Sequence, residues 1–322
     1  MIITVSLNPS RDKTQVIEQF VHGGMNRVLD NRHDLGGKGI NVSIALARLG
    51  EKPVCLGLNF ERDAAELVRE INKYGIKDDF ILCPGGIRVN TKLFERDSGV
   101  MTEINEKGDF VSQDLFEALK AKIADYGSHA NIIVFSGSAP KGLHEECYTE
   151  LIASARKNNP NVRIILDAEG RLLLNGLRAK PDIIKPNLFE LETAYGVKLN
   201  SNEEIVSLCR EIIKYEGTKM ICVSMGSEGA VAVDANCAYF APPLPIRVKG
   251  LQGAGDSMVA GICIAVNESK PLDEILRYAV TAASGSIELE GTLLCTKEDF
   301  ARIYPKVVVN EIKISTAVRN MP

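Results

Sequence analysis

Ile132 to Asp167 reads IIVFSGSAPKGLHEECYTELIASARKNNPNVRIILD. A short apolar run, Ile132 to Phe135, leads through a polar turn into Glu145 to Lys157, where apolar residues recur at helical spacing. A second short run follows, Arg163 to Leu166. Runs this short and rich in β-branched residues predict strands, and the longer segment between them predicts a helix. Strand, helix, strand in this order sets the two strands parallel, with the helix crossing one face.

The same alternation extends in both directions. Ile2 to Leu7, Val54 to Leu58, Ile183 to Lys185 and Met220 to Ser224 predict further strands. Ile40 to Leu49, Ala64 to Lys73, Ser112 to Tyr126, Asn202 to Tyr215, Asp256 to Val266 and Leu272 to Ile287 predict helices. The expected fold class is α/β, a mostly parallel central sheet with helices on both faces. Two stretches break the pattern. Asp12 to Leu35, with Phe20-Val21 and Arg27-Val28-Leu29, and Ile87 to Phe110, with Val89 to Phe94 and Thr102 to Asn105 around a turn at Asp97-Ser98-Gly99, predict antiparallel strands outside the main sheet. A small sheet from two such insertions is well placed to cover a site on the larger body. With no internal repeat and no Pro-, Gly- or Ser-rich linker, the 322 residues are expected to form one domain carrying both insertions.

Composition excludes several classes. Apolar residues make up 45% and charged residues 25%, as in an ordinary globular protein. The net charge is −4 and the basic residues are scattered, so the stripe that binds a nucleic-acid backbone is missing. The longest apolar stretch, Met258 to Val266, is far shorter than the roughly 20 residues of a membrane span, and no basic leader opens the chain. Eight cysteines form no Cys-x-x-Cys pair and have no histidine at metal-ligand spacing, which predicts reduced, buried thiols in a cytoplasmic protein.

Chemistry concentrates where glycine-rich turns enter helices. Gly253-Ala254-Gly255-Asp256 runs directly into the apolar helix that follows. Glycines let backbone approach a ligand, and the unpaired amides of a helix start favour an anion. An acid at that point can take a proton from a hydroxyl attacking a bound phosphate. By local sequence alone Asp256 is equally a helix cap. No Gly-Lys-Ser or Gly-Lys-Thr follows, so this is not a Walker loop.

Gly36-Gly37-Lys38-Gly39-Ile40-Asn41 is a second such entry, offering an amine and an amide or else a plain turn with a solvated lysine. Arg88, Asn90 and Lys92 alternate along one strand and share a face, either over a ligand or toward solvent. Ser136-Gly137-Ser138, Lys185-Pro186-Asn187 with Glu190, and Ser224 to Gly229 each follow a predicted strand, where open α/β sheets bind ligands. Asn187 and Glu190, three apart at a helix start, can hold a water on Mg²⁺ or cap the helix.

In this order, these segments, with Leu7-Asn8-Pro9 and Asp12, resemble the PfkB carbohydrate kinase family of ribokinase-like proteins over essentially the full chain. The resemblance implies a three-layer α/β/α domain with a small β-sheet lid, from insertions at about 12–35 and 87–110, through which such kinases often form homodimers. It implies ATP and Mg²⁺, with Asp256 as catalytic base and Gly253, Ala254 and Gly255 as the anion hole. Lys185, Asn187, Ser224, Gly226 and Gly229 would lie against ATP, and Glu190 would reach the metal through water. Asp12, Gly37, Lys38, Asn41, Arg88, Asn90 and Ser138 would surround a sugar phosphate. The opening motif, Asn26-Arg27-Val28 and the 36–42 run are most similar to the branch of 1-phosphofructokinase and tagatose-6-phosphate kinase. Within that branch fructose 1-phosphate is the expected substrate, with tagatose 6-phosphate, or the substrate of another sugar kinase of the family, as the alternative. A binding protein without turnover is the alternative outside enzymes. Three features depart from the pattern: Leu251 where relatives carry Thr or another small polar residue, Lys13-Thr14 after Asp12, and Ala168-Glu169-Gly170 after Asp167.

Overall fold

The computed structural model describes residues 1–250, 252–289 and 293–313. Leu251 lies outside the described residues. The chain opens with β1 (Ile2–Ser6), β2 (Ser10–Ile17), β3 (Asp30–Gly36), α1 (Lys38–Arg48), β4 (Val54–Phe60), α2 (Ala64–Asn72), β5 (Lys77–Cys83), β6 (Arg88–Glu95) and β7 (Met101–Asn105). It continues with α3 (Gln113–Gly127), β8 (Ile132–Ser136), α4 (Cys147–Arg156), β9 (Arg163–Asp167), α5 (Gly170–Leu177), β10 (Ile183–Ile184), α6 (Leu188–Tyr195), α7 (Asn202–Glu216) and β11 (Met220–Ser224). β12 (Ala230–Asp234), β13 (Ala238–Ala241), α8 (Ala254–Asn267), α9 (Leu272–Ile287), α10 (Lys297–Ile303) and β14 (Asn310–Glu311) follow among the described residues.

The main sheet runs β14-β13-β12-β11-β10-β9-β8-β1-β4-β5. Pairing is parallel from β5 to β11 and antiparallel from β11 to β14. Both faces are covered, which is why β8 is apolar at successive positions. Ile133 and Phe135 join a core with α3 and α4, while Ile132 and Val134 join a second core with α1, α8 and α9. β1 pairs with β4 on one side and β8 on the other, a reversal in strand order that opens a crevice at the carboxyl ends.

Helix α1 is seated on β1 through a glycine. A Cβ on Gly39 would lie 2.6 Å from the Val5 carbonyl oxygen and 2.9 Å from Ser6 Cα, both backbone atoms that cannot swing away. We expect Gly39→Ala to push α1 outward and to cost about 1–3 kcal/mol, read as a lower denaturant midpoint. An unchanged midpoint would show that α1 does not rest on this contact.

A separate four-stranded sheet runs β3-β2-β6-β7. Its β6–β7 hairpin matches the expectation for 89–105. Two expectations are corrected. Phe20-Val21 and Arg27-Val28-Leu29 are not strands; they lie in the loop between β2 and β3, with Phe20, Val21, Val28 and Leu29 exposed. The strands are the polar segments on either side, whose charged residues hide the apolar alternation that marks a strand. Nor is the sheet wholly antiparallel, because β2 pairs with β6 in parallel, Asp12 opposite Asn90. Arg11 ties this sheet to α2, forking onto Glu66 at 2.7 and 3.1 Å and reaching Asp63 at 3.2 Å. The other oxygen of Asp63 accepts the Ile87 amide, so one carboxylate fixes the base of both β2 and β6.

Candidate active site

Five neighbouring parallel strands deliver polar groups to one end of the sheet. Ser6, Ser136 and Asp167 are in register at the ends of β1, β8 and β9, and Lys185 and Ser224 follow from β10 and β11. Helix α8 closes this end. Gly253, at φ 73°, turns the chain into α8, and the first helical bond runs from the Ser257 amide to the Gly253 carbonyl at 2.8 Å. The amides of Ala254, Gly255 and Asp256 precede that bond and have no carbonyl one turn back within the helix. They are the helix's positive end.

Asp256 stands at this point, buried, and makes no side-chain cap to its own helix. Its Oδ2 accepts a 2.8 Å hydrogen bond from the Asn41 amide of α1. Burial, and then the neighbouring Asp167 carboxylate, push its pKa up to about 6, against the opposing pull of Asn41, Lys38 and Lys185. A carboxylate with that value is mostly ionised at neutral pH and is a stronger base than an ordinary aspartate.

Asp167 is the electrostatic centre of the cleft. Fully buried, it accepts the Ser136 hydroxyl on Oδ2 at 3.1 Å and faces two ammonium groups with Oδ1, Lys185 at 3.3 Å and Lys38 at 3.6 Å. Burial alone would raise its pKa, but Lys185 and Lys38 outweigh burial and hold it below the usual value. Burial likewise opposes the Lys38 charge, and Asp167, Glu190 and Asp256 together overcome it, keeping the amine firmly protonated. A Cβ on Gly255 would come within 3.6 Å of Lys185 Nζ, so the ammonium lies against the glycine turn. An anion at the amides therefore meets positive charge from the helix start and from lysines.

Asn187 and Glu190 form a reciprocal capping box at the start of α6. Asn187 Oδ1 accepts the Glu190 amide at 2.7 Å and Glu190 Oε2 accepts the Asn187 amide at 2.8 Å. Glu190 Oε1 is left facing Lys38 at 3.6 Å. Among the described residues no cluster of three His, Cys, Asp or Glu side chains forms a metal cage. A single carboxylate oxygen turned to the cleft fits Mg²⁺ that is held chiefly by phosphate oxygens and water. Asn187, Ser224 and Gly226 also line a cavity of about 960 Å³, with Leu188, Met225 and Phe240 as apolar wall. Gly229 closes the turn beyond, where a Cβ would meet the Ala241 carbonyl.

The small sheet carries a second polar cluster. Asp12 accepts Ser10 Oγ and Asn90 Nδ2, each at 3.0 Å, and pairs with Lys92 at 2.7 Å. Arg88 donates only to backbone carbonyls, to Asn8 at 3.4 Å and Glu106 at 3.2 Å, and has no carboxylate partner among the described residues. Asn8 bridges the sheets, donating to Ser138 Oγ at 3.1 Å and to the Lys107 carbonyl. Gly37, at φ 120°, packs against Pro9.

The profile of the pfkB family carbohydrate kinases matches residues 8–299, which takes in both polar clusters and the turn into α8. The chain belongs to this family. Among its relatives are the 1-phosphofructokinases of Borreliella burgdorferi and Bacillus subtilis. Each is 34% identical to it, covering 98% and 97% of this chain respectively and 100% of the relative. The solved structure of phosphofructokinase-2 from Escherichia coli in complex with fructose-6-phosphate is 28% identical. It superposes with a TM-score of 0.85 over 95% of this chain and 98% of that one.

As a pfkB carbohydrate kinase, the chain is a sugar phosphotransferase with the ribokinase-like layering expected of it. The structure brings Asp256, Gly253–Gly255, Lys185, Lys38, Asn41 and Glu190 to one cleft. Lys38 and Asn41, expected around the sugar, turn their tips to Asp167, Glu190 and Asp256. Asp12, Arg88 and Asn90 gather on the small sheet. Asp167 was not among the expected site residues. Its one sequence signal is an acid closing a fully apolar strand, Ile164 to Leu166, beside two other strand ends with polar exits.

Proposed function

We propose that this kinase transfers the γ-phosphoryl group of ATP to the 6-hydroxyl of fructose 1-phosphate, giving fructose 1,6-bisphosphate. The observation that carries the transfer chemistry is the buried Asp256 carboxylate placed at open helix amides, in the field of Lys38 and Lys185, which pair with the neighbouring Asp167. Similarity over the full length to two 1-phosphofructokinases supports the choice of sugar phosphate.

Asp256 accepts the proton of the attacking hydroxyl as the phosphoryl group leaves ATP. The amides of 254–256, with Lys38 and Lys185 beside Asp167, stabilise charge gathering on the transferred oxygens. Glu190, whose Oε1 faces the cleft beside Lys38, would reach the water shell of a bound Mg²⁺, which would supply neutralisation of charge on the phosphates. Asn187, Ser224, Gly226 and Gly229 receive the nucleotide. Arg88 is the phosphate-binding cation at the sugar end, while Asp12 and Asn90 accept and donate to hydroxyls.

In this reading the chain is one catalytic domain and the small sheet is its lid. Val100, Met101 and Ile104 are exposed on and beside β7, an apolar edge suited to pairing with a second copy. No helix among the described residues is long and apolar enough to cross a membrane.

An ADP-release assay over fructose 1-phosphate, tagatose 6-phosphate and fructose 6-phosphate tests the reading. Fructose 1-phosphate should lead in kcat/KM by roughly tenfold or more, and Arg88→Ala should raise its KM far more than it lowers kcat. Binding without ADP release from any of the three would identify a sugar-phosphate sensor instead.

A further inference from the structure

Behind the turn into α8, three buried groups meet. Ser257, in the first turn of α8, places its hydroxyl 2.7 Å from that of Ser286 on α9. Ser286 Oγ also accepts the Cys295 amide at 2.9 Å and donates to the Ala282 carbonyl at 3.2 Å. Ser257, Ser286 and Cys295 are each at most 1% exposed. A hydroxyl has one proton and two acceptor sites. With its proton on Ala282, Ser286 must accept from both Ser257 and Cys295, and all its capacity is used.

The joint reaches the cleft from two sides. Leu294, next to Cys295, packs its side chain against Gly253, and its carbonyl accepts Arg48 Nε of α1 at 2.6 Å. The same α1 carries Lys38 and Asn41, and Asn41 holds Asp256. The first turn of α8 is thus pinned in front by Asn41 and behind by Ser286 through Ser257, with residues 294–295 linking α9 back to α1.

We propose that Ser286 is a positioning residue for phosphoryl transfer. Its hydroxyl sets the orientation of the first turn of α8, and so the aim of the 254–256 amides and of Asp256, without touching substrate. The inference rests on the reading of that turn as the transfer site. Small errors of aim there act on the transition state more than on the bound substrates.

The test compares Ser286→Ala, Ser257→Ala and the double variant by steady-state kinetics at saturating ATP, with thermal unfolding measured in parallel. Each single variant should lose on the order of 10- to 100-fold in kcat while the sugar-phosphate KM changes little. The double variant should be no worse than the poorer single one, because both break the same joint. If Ser286→Ala does not fold, Ser257→Ala decides alone, since it leaves Ser286 bonded to Ala282 and Cys295. A lower melting temperature with full kcat in the folded variants, or strictly additive losses, overturns the proposal. Asp256→Asn, run alongside, separates the two readings. If it is inactive and Ser286→Ala is fully active, only the positioning role fails. If it is itself active, the transfer-site reading fails.

Discussion

Asp256→Asn should lose on the order of 10²- to 10⁴-fold in turnover while still folding and binding ATP. It should also gain stability. In the wild type the carboxyl pKa is about 6 in the fold against an ordinary value of 3.8. Between those values the unfolded chain has already released its proton and the folded chain has not, so stability falls as pH rises through that window. Above pH 6 the deficit is complete, roughly 2 to 3 kcal/mol for a shift of about two units. The amide variant carries no such penalty. It should melt higher than the wild type at pH 8, with the difference closing toward pH 4. In wild-type kinetics kcat should fall tenfold per unit below about pH 6, and Asn41→Ala, which removes a bond favouring the ionised form, should move that limb upward. Full turnover in Asp256→Asn, or a kcat level down to pH 5, would remove Asp256 as the base.

Asp167→Asn should have the opposite effect on stability. The neutral side chain keeps its shape but leaves Lys185, itself buried, and Lys38 facing each other without the carboxylate between them. Loss of one partner from a buried charge cluster costs about 3–5 kcal/mol. Because the folded pKa of Asp167 is depressed, its contribution is fully present above the ordinary value of 3.8 and is lost as pH drops below it. Activity should fall by about 10²-fold or more as the lysines splay from the glycine turn and cease to act together on the phosphoryl group. Urea unfolding at pH 7 and single-turnover rates check the two effects separately. A variant of wild-type stability would show that the lysines find other partners.

The layered sheet was readable because burial on both faces writes itself into sequence. β8, β9 and β11 are apolar at nearly every position, and the helices between them keep helical spacing. The small sheet escaped in part because most side chains of β2 and β3 are polar, with Val16, Ile17 and Leu35 confined to the strand ends, so the more conspicuous apolar residues are those of the exposed loop between them. At the site, glycine turns were visible as local motifs. Asp167 was not, because its partners Lys38, Ser136 and Lys185 come from three separate segments. The Asn187–Glu190 pair shows why two readings can both hold. One oxygen of Glu190 caps the helix, and the other faces the cleft.

The placement of the two clusters along the chain also sets an order of manufacture. Every strand pairing of the small sheet, and the β1–β4–β5 pairings beside it, lies within residues 1–105. Asp256, by contrast, emerges from the ribosome on the order of ten seconds later, and its Asn41 partner waits for it across 215 positions. The strands that carry Asp12, Arg88 and Asn90 can therefore be paired while the turn that carries Asp256 is still being made. A chain cut short between β7 and α8 would carry every strand of the small sheet and lack Asp256.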